Sequence, residues 1–184
     1  DNIEDAINCK TFDIELVQDP NTGLVYNRKF DQKTMDYNEN YHSERTFSNS
    51  YKNYLSTIKD VIEKYFIKSN VLEIGCGDGT FLEYLSESGF DIEGMDPSYQ
   101  GNNKRIKKEY YTENSKKVYD GIILRHVIEH IQNPYNFLYN LKKINKDHGL
   151  IYIEVPNLDY INKSSSFFDI HYEHVNYFRM IDLK

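Results

Sequence analysis

The sequence predicts an α/β fold in which a doubly wound, mostly parallel sheet carries helices on both faces. Three observations predict it. From residue 70 onward, short apolar runs typical of buried strands alternate with segments whose apolar residues recur at helical spacing. A glycine-rich turn, EIGCGDGT at 73–80, follows the first of these runs, and a carboxylate, Asp96, ends the second. Strand, glycine loop, helix, strand and acid in this order are typical of α/β domains that bind a ligand at the carboxyl edge of their sheet.

The predicted elements of this domain follow one another without an internal repeat. The expected strands are NVLEIG (70–75), DIEGMD (91–96), a weak strand near 106–111, YDGIILRH (119–126) and GLIYIEVP (149–156). The expected helices are TFLEYLSES (80–88), which Gly89 stops, and an amphipathic segment over about 134–145. Four or five strands are fewer than a doubly wound domain usually has. Either the chain is truncated at its C-terminal end, without the last strands, or the fold is naturally short.

Residues 1–49 are predicted to form an N-terminal extension, and residues 50–184 the α/β domain. Within the extension, IELVQDPNTGLVYNRKF (14–30) predicts two short strands joined by a turn at DPNTG, where a proline and a glycine favour the turn geometry. Over 50–66, apolar residues recur at helical spacing, which predicts a helix packed on the domain that follows.

Composition limits the classes of partner. The formal net charge is −7 and there is no long basic run, which disfavours a nucleic-acid groove; the local basic cluster NNKRIKK (102–108) is typical of a solvated loop. No apolar run reaches the roughly 20 residues that a membrane helix needs. Two cysteines, Cys9 and Cys76, cannot form a disulfide framework and fit a reducing compartment. The acidic start lacks the features of a signal peptide, so we expect a cytoplasmic protein, whose oligomeric state the sequence leaves open.

The glycine loop favours a cationic ligand over a pyrophosphate. Dinucleotide-binding loops have the pattern G-x-G-x-x-G, which aims helix N–H groups at phosphates, whereas here the sixth position is Thr80. Asp78 lies inside the loop and Glu73 just before it, and two negative charges suit a positively charged ligand. This spacing disfavours an NAD(P)-dependent enzyme. The alternative without a ligand is a tight turn in an α/β domain.

Four stretches, VLEIGCGDGTFLEYL, GFDIEGMDP, YDGIILRHVIEHIQNPYNFLYNL and GLIYIEVPN, resemble the core of class I S-adenosylmethionine-dependent methyltransferases. The resemblance covers about 69–157 and implies a Rossmann-like fold with S-adenosylmethionine as cofactor and S-adenosylhomocysteine as its product. It implies a set of cofactor-binding residues at the glycine loop and at the ends of the following strands: Glu73, Gly75, Cys76, Gly77, Asp96, Pro97, Arg125 and His126. Asp96 would hold the ribose hydroxyls and Pro97 would lie beside the adenine. The family's second acid, after strand three, has no clear counterpart in IKKEYYTENSKK (106–117).

The stretch HVIEH (126–130) also matches H-x-x-E-H, a zinc-peptidase pattern in which two histidines on one helical face bind metal. A zinc site needs a third protein ligand in suitable geometry, and the sequence nominates none. In the methyltransferase family a similar stretch follows the fourth strand, ahead of a helix that contains NP. We therefore expect no metal here, and a structural or cofactor-contacting role for His126.

The tail SSSFFDIHYEHVNYF (164–178) supplies the candidate catalytic residues His171, Tyr172, Glu173 and His174. A histidine can remove a proton from a hydroxyl, or from a carbon next to a ketone, and a neighbouring tyrosine or glutamate can orient it. The tail resembles the Y-H-E-H segment of sugar C-methyltransferases and the E-H-V-N-Y-F stretch of methyltransferases in bacterial surface-polysaccharide pathways. His174 matches the catalytic histidine, whereas His171 occupies the position of that family's tyrosine. The alternative is a polar loop whose imidazoles hydrogen-bond the backbone.

The segment TGLVYNRKFDQKTMDYNENYHSERTFSNSY (22–51) resembles the stretch that follows the cysteine-rich zinc module of sugar C-methyltransferases. Cys9 is the only cysteine in that region of the sequence, so the residues present cannot form such a module. Tyr41, Ser43 and Arg45 are expected to lie in a surface loop, and the alternative is that they reach the cofactor from this side.

These patterns predict a methyltransferase that acts on a small polar acceptor. The tail favours a sugar or nucleotide-sugar, as in bacterial carbohydrate or polysaccharide biosynthesis. The mechanism would be an in-line displacement on the sulfonium methyl, with His174 or a neighbour as general base. The alternatives are O-methylation of another small metabolite, such as a quinone or lipid intermediate, and a non-catalytic cofactor-binding or scaffold protein.

Overall fold

The N-terminal part of the chain forms short elements joined by turns. The computed structural model describes residues 3–8, 10–35, 48–113 and 117–184. In chain order, the elements of this part are helix α1 (Ile3–Ile7), strand β1 (Leu16–Gln18), strand β2 (Val25–Asn27), a 3-10 turn (Gln32–Thr34) and helix α2 (Asn49–Tyr65). Strands β1 and β2 pair antiparallel, which confirms the predicted hairpin. The predicted site residues Tyr41, Ser43 and Arg45, like Cys9, lie outside the described residues.

A five-stranded sheet forms the centre of the domain. Its strands are β3 (Val71–Ile74), β4 (Ile92–Met95), β5 (Ile106–Lys107), β6 (Tyr119–Arg125) and β7 (Asn145–Glu154). They lie in the order β5-β4-β3-β6-β7, and every neighbouring pair is parallel. The predicted doubly wound fold is thereby confirmed. The chain reverses its winding direction between β3 and β6, and such a switch point leaves a crevice at the carboxyl ends of the strands where ligands bind.

Helices cover both faces of this sheet, as predicted. Helix α3 (Thr80–Glu87) follows β3, and helix α4 (Pro134–Ile144) joins β6 to β7. Helix α4 begins with Pro134 in its first turn, and the Asn133 side chain caps it by accepting a hydrogen bond from the Asn136 N–H group. Apolar residues of α2 and α3 pack on one face of the sheet and those of α4 on the other. Because the central strands are buried on both faces, they form continuous apolar runs in the sequence.

The tail adds elements that the sequence pattern did not predict. Helix α5 (Leu158–Ser164) and a 3-10 turn (Phe167–Asp169) lead to strand β8 (Asn176–Tyr177). Strand β8 pairs antiparallel with β2, so the N-terminal hairpin and the tail form one three-stranded sheet in the order β1-β2-β8. The hairpin is therefore attached to the α/β domain through the domain's own tail. In the described part of the chain, no helix is long and apolar enough to cross a membrane.

Candidate functional site

The glycine loop between β3 and α3 combines two packing glycines with one that faces open space. Gly75, Gly77 and Gly79 all have positive φ angles, of 71°, 56° and 85°. A Cβ atom at Gly75 would overlap the Val127 side chain, and one at Gly79 would overlap the Ile106 side chain. At Gly77, no atom of the other residues that the structure describes lies within 4 Å of the position that a Cβ atom would take. Gly77 is therefore where a ligand can approach the backbone of the loop.

Replacing Gly77 and Gly79 separately by alanine should impair different properties: Gly77→Ala mainly cofactor binding, and Gly79→Ala mainly stability. Gly77→Ala is expected to fold, at a cost of about 1 kcal/mol for the positive φ angle, and to weaken cofactor binding about tenfold or more because the methyl group enters the ligand space. Gly79→Ala is expected to lower the free energy of unfolding by about 2 kcal/mol or more, since its methyl group overlaps Ile106 as well. Urea unfolding and calorimetric titration with S-adenosylhomocysteine measure both effects. Tight binding by a folded Gly77→Ala variant would contradict the assignment.

Asp96 holds the glycine loop at the carboxyl end of β4. The Gly77 N–H group donates to its Oδ2 atom at 2.8 Å. The Ser98 N–H and hydroxyl groups donate to its Oδ1 atom at 2.8 Å and 2.6 Å. Asp96 is only 8% exposed, so this carboxylate has a fixed orientation next to the open side of Gly77. Pro97, which follows it, is half-buried. The structure thus brings Asp96 and Gly77 together as the sequence predicts.

Cys76 differs from its neighbours in the loop because its side chain lies in the hydrophobic core. A Cβ atom added at Gly94 of β4 would lie 2.7 Å from the Cys76 Sγ atom, which locates the thiol against that strand. Burial raises the pKa of the thiol, which therefore stays neutral. The Cys76 side chain is therefore not available to a ligand, which could contact only the backbone of this residue.

Glu73 is a buried carboxylate on β3, just before the loop. It is 1% exposed, and its Oε2 atom has no hydrogen-bond partner within the described chain. Burial raises its pKa to about 8, against the opposing effect of the Arg125 guanidinium. A cationic group placed beside Glu73 would favour the ionised carboxylate. Together with the open face of Gly77, this donor set fits the positively charged cofactor that the sequence predicts.

Arg125 ends strand β6 and compensates the buried carboxylates around it. Its Nε atom donates to Glu154 Oε2 at 3.2 Å, and its guanidinium lies over the Phe81 ring, 4.4 Å from the centroid. The guanidinium is also near enough to Glu73 to act on the pKa of that carboxyl. Arg125 is 8% exposed, and its guanidinium interacts with these groups. It therefore stabilises the carboxylates beside the cofactor site and does not present a free charge to a ligand.

His126 lies between two carboxylates at the carboxyl end of β6. Its Nε2 atom is 2.9 Å from Glu154 Oε1, and its Nδ1 atom is 3.4 Å from Glu129 Oε1. The residue has a φ angle of +54°, which few residues other than glycine adopt, and its side chain remains 41% exposed. Burial raises the pKa of Glu154 to about 7. His126 adjoins Val127, which contacts the glycine loop at Gly75, so the imidazole borders the cofactor site.

The tail brings His174 to the H-x-x-E-H stretch. Glu129, His130 and His174 can each offer one ligand atom, and these atoms all lie within 4.8 Å of one another. The sequence nominated no third metal ligand; the fold supplies one from a segment more than forty residues away. Arg125, Glu154, His126 and Glu129 thus form a continuous line of polar groups that ends at this cluster.

The four predicted catalytic residues of the tail have different environments. Burial, with the neighbouring His130, lowers the pKa of His174 to about 4, so this imidazole is a weak proton acceptor at neutral pH. The His171 ring lies 4.9 Å from that of His174. The Glu173 carbonyl group contacts His130 Nδ1 at 3.1 Å. Tyr172 is turned to the N-terminal hairpin, where its ring stacks on Phe12 and its hydroxyl accepts a hydrogen bond from the Asp31 N–H group at 2.9 Å.

Two site residues, Glu129 and Glu154, were not predicted. Both are carboxylates shielded from solvent: Glu129 is 1% exposed and Glu154 is half-buried. A lone acid within the apolar run of β7 was the available signal for Glu154, because a buried charge needs a partner. In the sequence, Glu129 stands out only as the glutamate of the H-x-x-E-H pattern. Its proximity to His174 depends on the path of the tail, which local sequence does not encode.

Comparison with known proteins gives one family over most of the chain. A family model described as a methyltransferase domain matches residues 49–184. The ubiquinone biosynthesis O-methyltransferase of Rickettsia conorii is 30% identical over 105 residues, which cover 49% of this chain and 36% of that protein. The corresponding enzyme of Dictyostelium discoideum is 27% identical over 137 residues, covering 61% of this chain and 41% of that one. The chain spans less than half the length of these curated relatives.

Solved structures agree in fold. A methyltransferase from Archaeoglobus fulgidus, described as SAM-dependent, aligns with a TM-score of 0.50 and 23% identity, over 74% of this chain and 68% of that one. The plantazolicin methyltransferase BpumL, in complex with S-adenosylhomocysteine, aligns with a TM-score of 0.50 and 21% identity over the same shares of the two chains. At these identities the alignments support the sheet order and the Rossmann-like fold described above.

Proposed function

The chain belongs to the methyltransferase domain family, and from this premise we propose that it transfers a methyl group from S-adenosylmethionine to an oxygen atom of a small polar acceptor. The observation that carries the proposal is the cradle of Glu73, Gly77 and Asp96 at the switch point of the sheet. It combines an open stretch of backbone, a fixed carboxylate and a buried acid whose Oε2 atom has no hydrogen-bond partner among the described residues. A cation that also carries ribose hydroxyls fits all three features.

The chain's own residues would orient the two reactants. Asp96 would accept hydrogen bonds from the ribose hydroxyls, and Glu73 would attract the cationic amino-acid end of the cofactor. When bound, S-adenosylmethionine supplies an electrophilic methyl group on a sulfonium. His126, partly exposed beside the loop and flanked by Glu154 and Glu129, would accept a hydrogen bond from the acceptor hydroxyl, direct its oxygen at that methyl group, and take up the hydroxyl proton as the oxygen is methylated.

Oxygen is preferred as the acceptor atom because the curated relatives are named O-methyltransferases. Their names refer to ubiquinone biosynthesis, so a phenolic or quinone-related hydroxyl is the first acceptor class to test. The second candidate is the sugar or nucleotide-sugar acceptor predicted from the tail motif HYEHVNYF. In its favour, the motif lies against the site: the Val175 N–H group donates to the Glu129 carbonyl group at 2.8 Å.

A methyl-transfer assay against two acceptor panels tests the proposal. The protein is incubated with S-adenosylmethionine and either catechols and other phenols or nucleotide-linked sugars, and products are identified by mass spectrometry. We expect methylation of an oxygen in the first panel, and about tenfold or slower turnover in His126→Asn with unchanged affinity for S-adenosylhomocysteine. Methylation confined to the second panel would favour the sugar acceptor. Cofactor binding without transfer to either panel would favour a non-catalytic protein.

A further inference from the structure

We propose that Glu129, His130 and His174 form a binding site for a divalent transition-metal ion, with zinc as the first candidate. One ligand atom from each lies within 4.8 Å of the others, so small side-chain movements would bring all three to a common ion. Two imidazoles and one carboxylate are a donor set that zinc uses with a fourth position left open. Iron, cobalt and manganese also accept it. The inference concerns binding alone and does not depend on which acceptor the enzyme uses.

The Glu129 carboxylate is the strongest argument for a cation. The residue is 1% exposed, and neither of its oxygens has a hydrogen-bond partner among the described residues. The His126 Nδ1 atom lies 3.4 Å from its Oε1 atom. Burying a carboxylate whose oxygens make no hydrogen bonds is costly, because desolvation removes its hydration and nothing replaces it. A bound divalent cation would supply the missing charge.

His130 makes the hydrogen bond to a backbone carbonyl group that metal-binding histidines usually make. The Nδ1 atom of His130 contacts the Glu173 carbonyl group at 3.1 Å. Such a bond to a backbone carbonyl selects the tautomer whose Nε2 lone pair can bind a metal ion, and it fixes the ring. In His174, the Nδ1 atom is buried and has no hydrogen-bond partner in the described chain. The His130 and His174 rings meet edge to face, with centroids 5.0 Å apart.

Two further hydrogen bonds, which involve none of the three ligand side chains, also hold the two segments together. The Val175 N–H group donates to the Glu129 carbonyl at 2.8 Å, and the Asn176 side-chain amide donates to the Ile131 carbonyl at 2.6 Å. Asn176 also belongs to β8, which pairs with β2. His174 is therefore held beside the H-x-x-E-H stretch by the fold itself, which is the preorganisation that a metal site requires.

Direct metal titration tests the inference. The tag-free, chelator-treated full chain is titrated with Zn²⁺ by calorimetry without S-adenosylmethionine, and bound metal is counted by elemental analysis. We expect one Zn²⁺ per chain with micromolar or tighter affinity, and a higher thermal unfolding midpoint with the metal. With Co²⁺, the visible spectrum of a low-coordinate cobalt ion should develop to the same stoichiometry.

Variants separate this site from other histidines. His174→Ala and Glu129→Gln should each weaken Zn²⁺ binding by about 100-fold or more, while circular dichroism confirms that they fold. His148→Ala, on the exposed surface, is the matched control and should bind Zn²⁺ within about twofold of wild type. No stoichiometric binding by wild type, or binding that His174→Ala leaves intact, would overturn the proposal. Cofactor binding is measured separately, so failure here leaves the proposed methyl transfer untouched.

Discussion

Asp96→Ala is expected to weaken S-adenosylhomocysteine binding by about 30- to 100-fold. The carboxylate is assigned two tasks: it anchors the Gly77 N–H group at 2.8 Å and would accept hydrogen bonds from the ribose hydroxyls. The substitution removes the charged acceptor and releases the loop at its open glycine. Hydrogen bonds to a charged group contribute about 1.5–3 kcal/mol each, and a net loss equivalent to one of them accounts for the expected range.

Calorimetric titration of three variants separates these tasks. Asp96→Asn keeps one acceptor oxygen and should fall between wild type and Asp96→Ala. Asp91→Ala, an exposed acid at the opposite end of β4, is the matched control and should bind like wild type. NADH should bind none of the proteins measurably. Equal affinity of wild type and a folded Asp96→Ala variant would remove Asp96, and with it the cradle, from the cofactor site.

Glu73→Gln is expected to stabilise the unliganded protein at alkaline pH while abolishing tight cofactor binding. Burial raises the folded-state pKa of Glu73 to about 8, whereas the unfolded chain has the ordinary value of 4.5. Below pH 4.5 both states are protonated and the group has no effect. As the pH rises towards 8, Glu73 ionises in the unfolded state, and this lowers the free energy of that state. The buried Glu73 of the folded state stays protonated over the same range, so the folded state is not stabilised in this way. The folded state is therefore destabilised over this window, by up to roughly 4 kcal/mol.

Urea unfolding at pH 5.5, 7 and 8 measures this effect. The free energy of unfolding of Glu73→Gln should exceed that of wild type by an amount that grows with pH, because glutamine cannot ionise. Glu154, whose pKa burial raises to about 7, acts in the same direction in both proteins and cancels in the comparison. A difference that is constant with pH would mean that Glu73 is ionised throughout the range. The loss of cofactor binding should persist at every pH, since the carboxylate is absent.

The local elements of the fold could be predicted because their causes are local. Strands β3, β4 and β6 are apolar runs that a sheet covered on both faces requires, and helix α3 begins where the glycine loop ends. The three glycines of that loop all adopt positive φ angles, which other residues adopt only with strain. The 19-residue spacing from Gly77 to Asp96 likewise follows from one strand–helix–strand unit. For these reasons the cofactor side of the site was predictable.

Contacts between distant segments could not be predicted in this way. Strand β8 is two residues long, and nothing in its sequence indicates that it pairs with β2. That pairing belongs to the same tail segment that brings His174 to Glu129 and His130, and Tyr172 to the hairpin. The histidine assigned to proton transfer therefore lies in a buried cluster where its pKa is lowered to about 4. The H-x-x-E-H stretch lacked only a third ligand, and that ligand came from the tail.

The sequence by itself determined the α/β class, the order of strands and helices from β3 to β7, and the pairing of the glycine loop with Asp96. The spacing of apolar residues and the conformational preference of glycine depend on only a few neighbouring residues, so a short stretch of sequence is enough to detect them. Only the tertiary structure decided which carboxylates flank His126, which ring meets Glu129, and that the hairpin and tail share a sheet. Such pairings depend on the path of the whole chain, because groups far apart in sequence meet only when the entire core has formed.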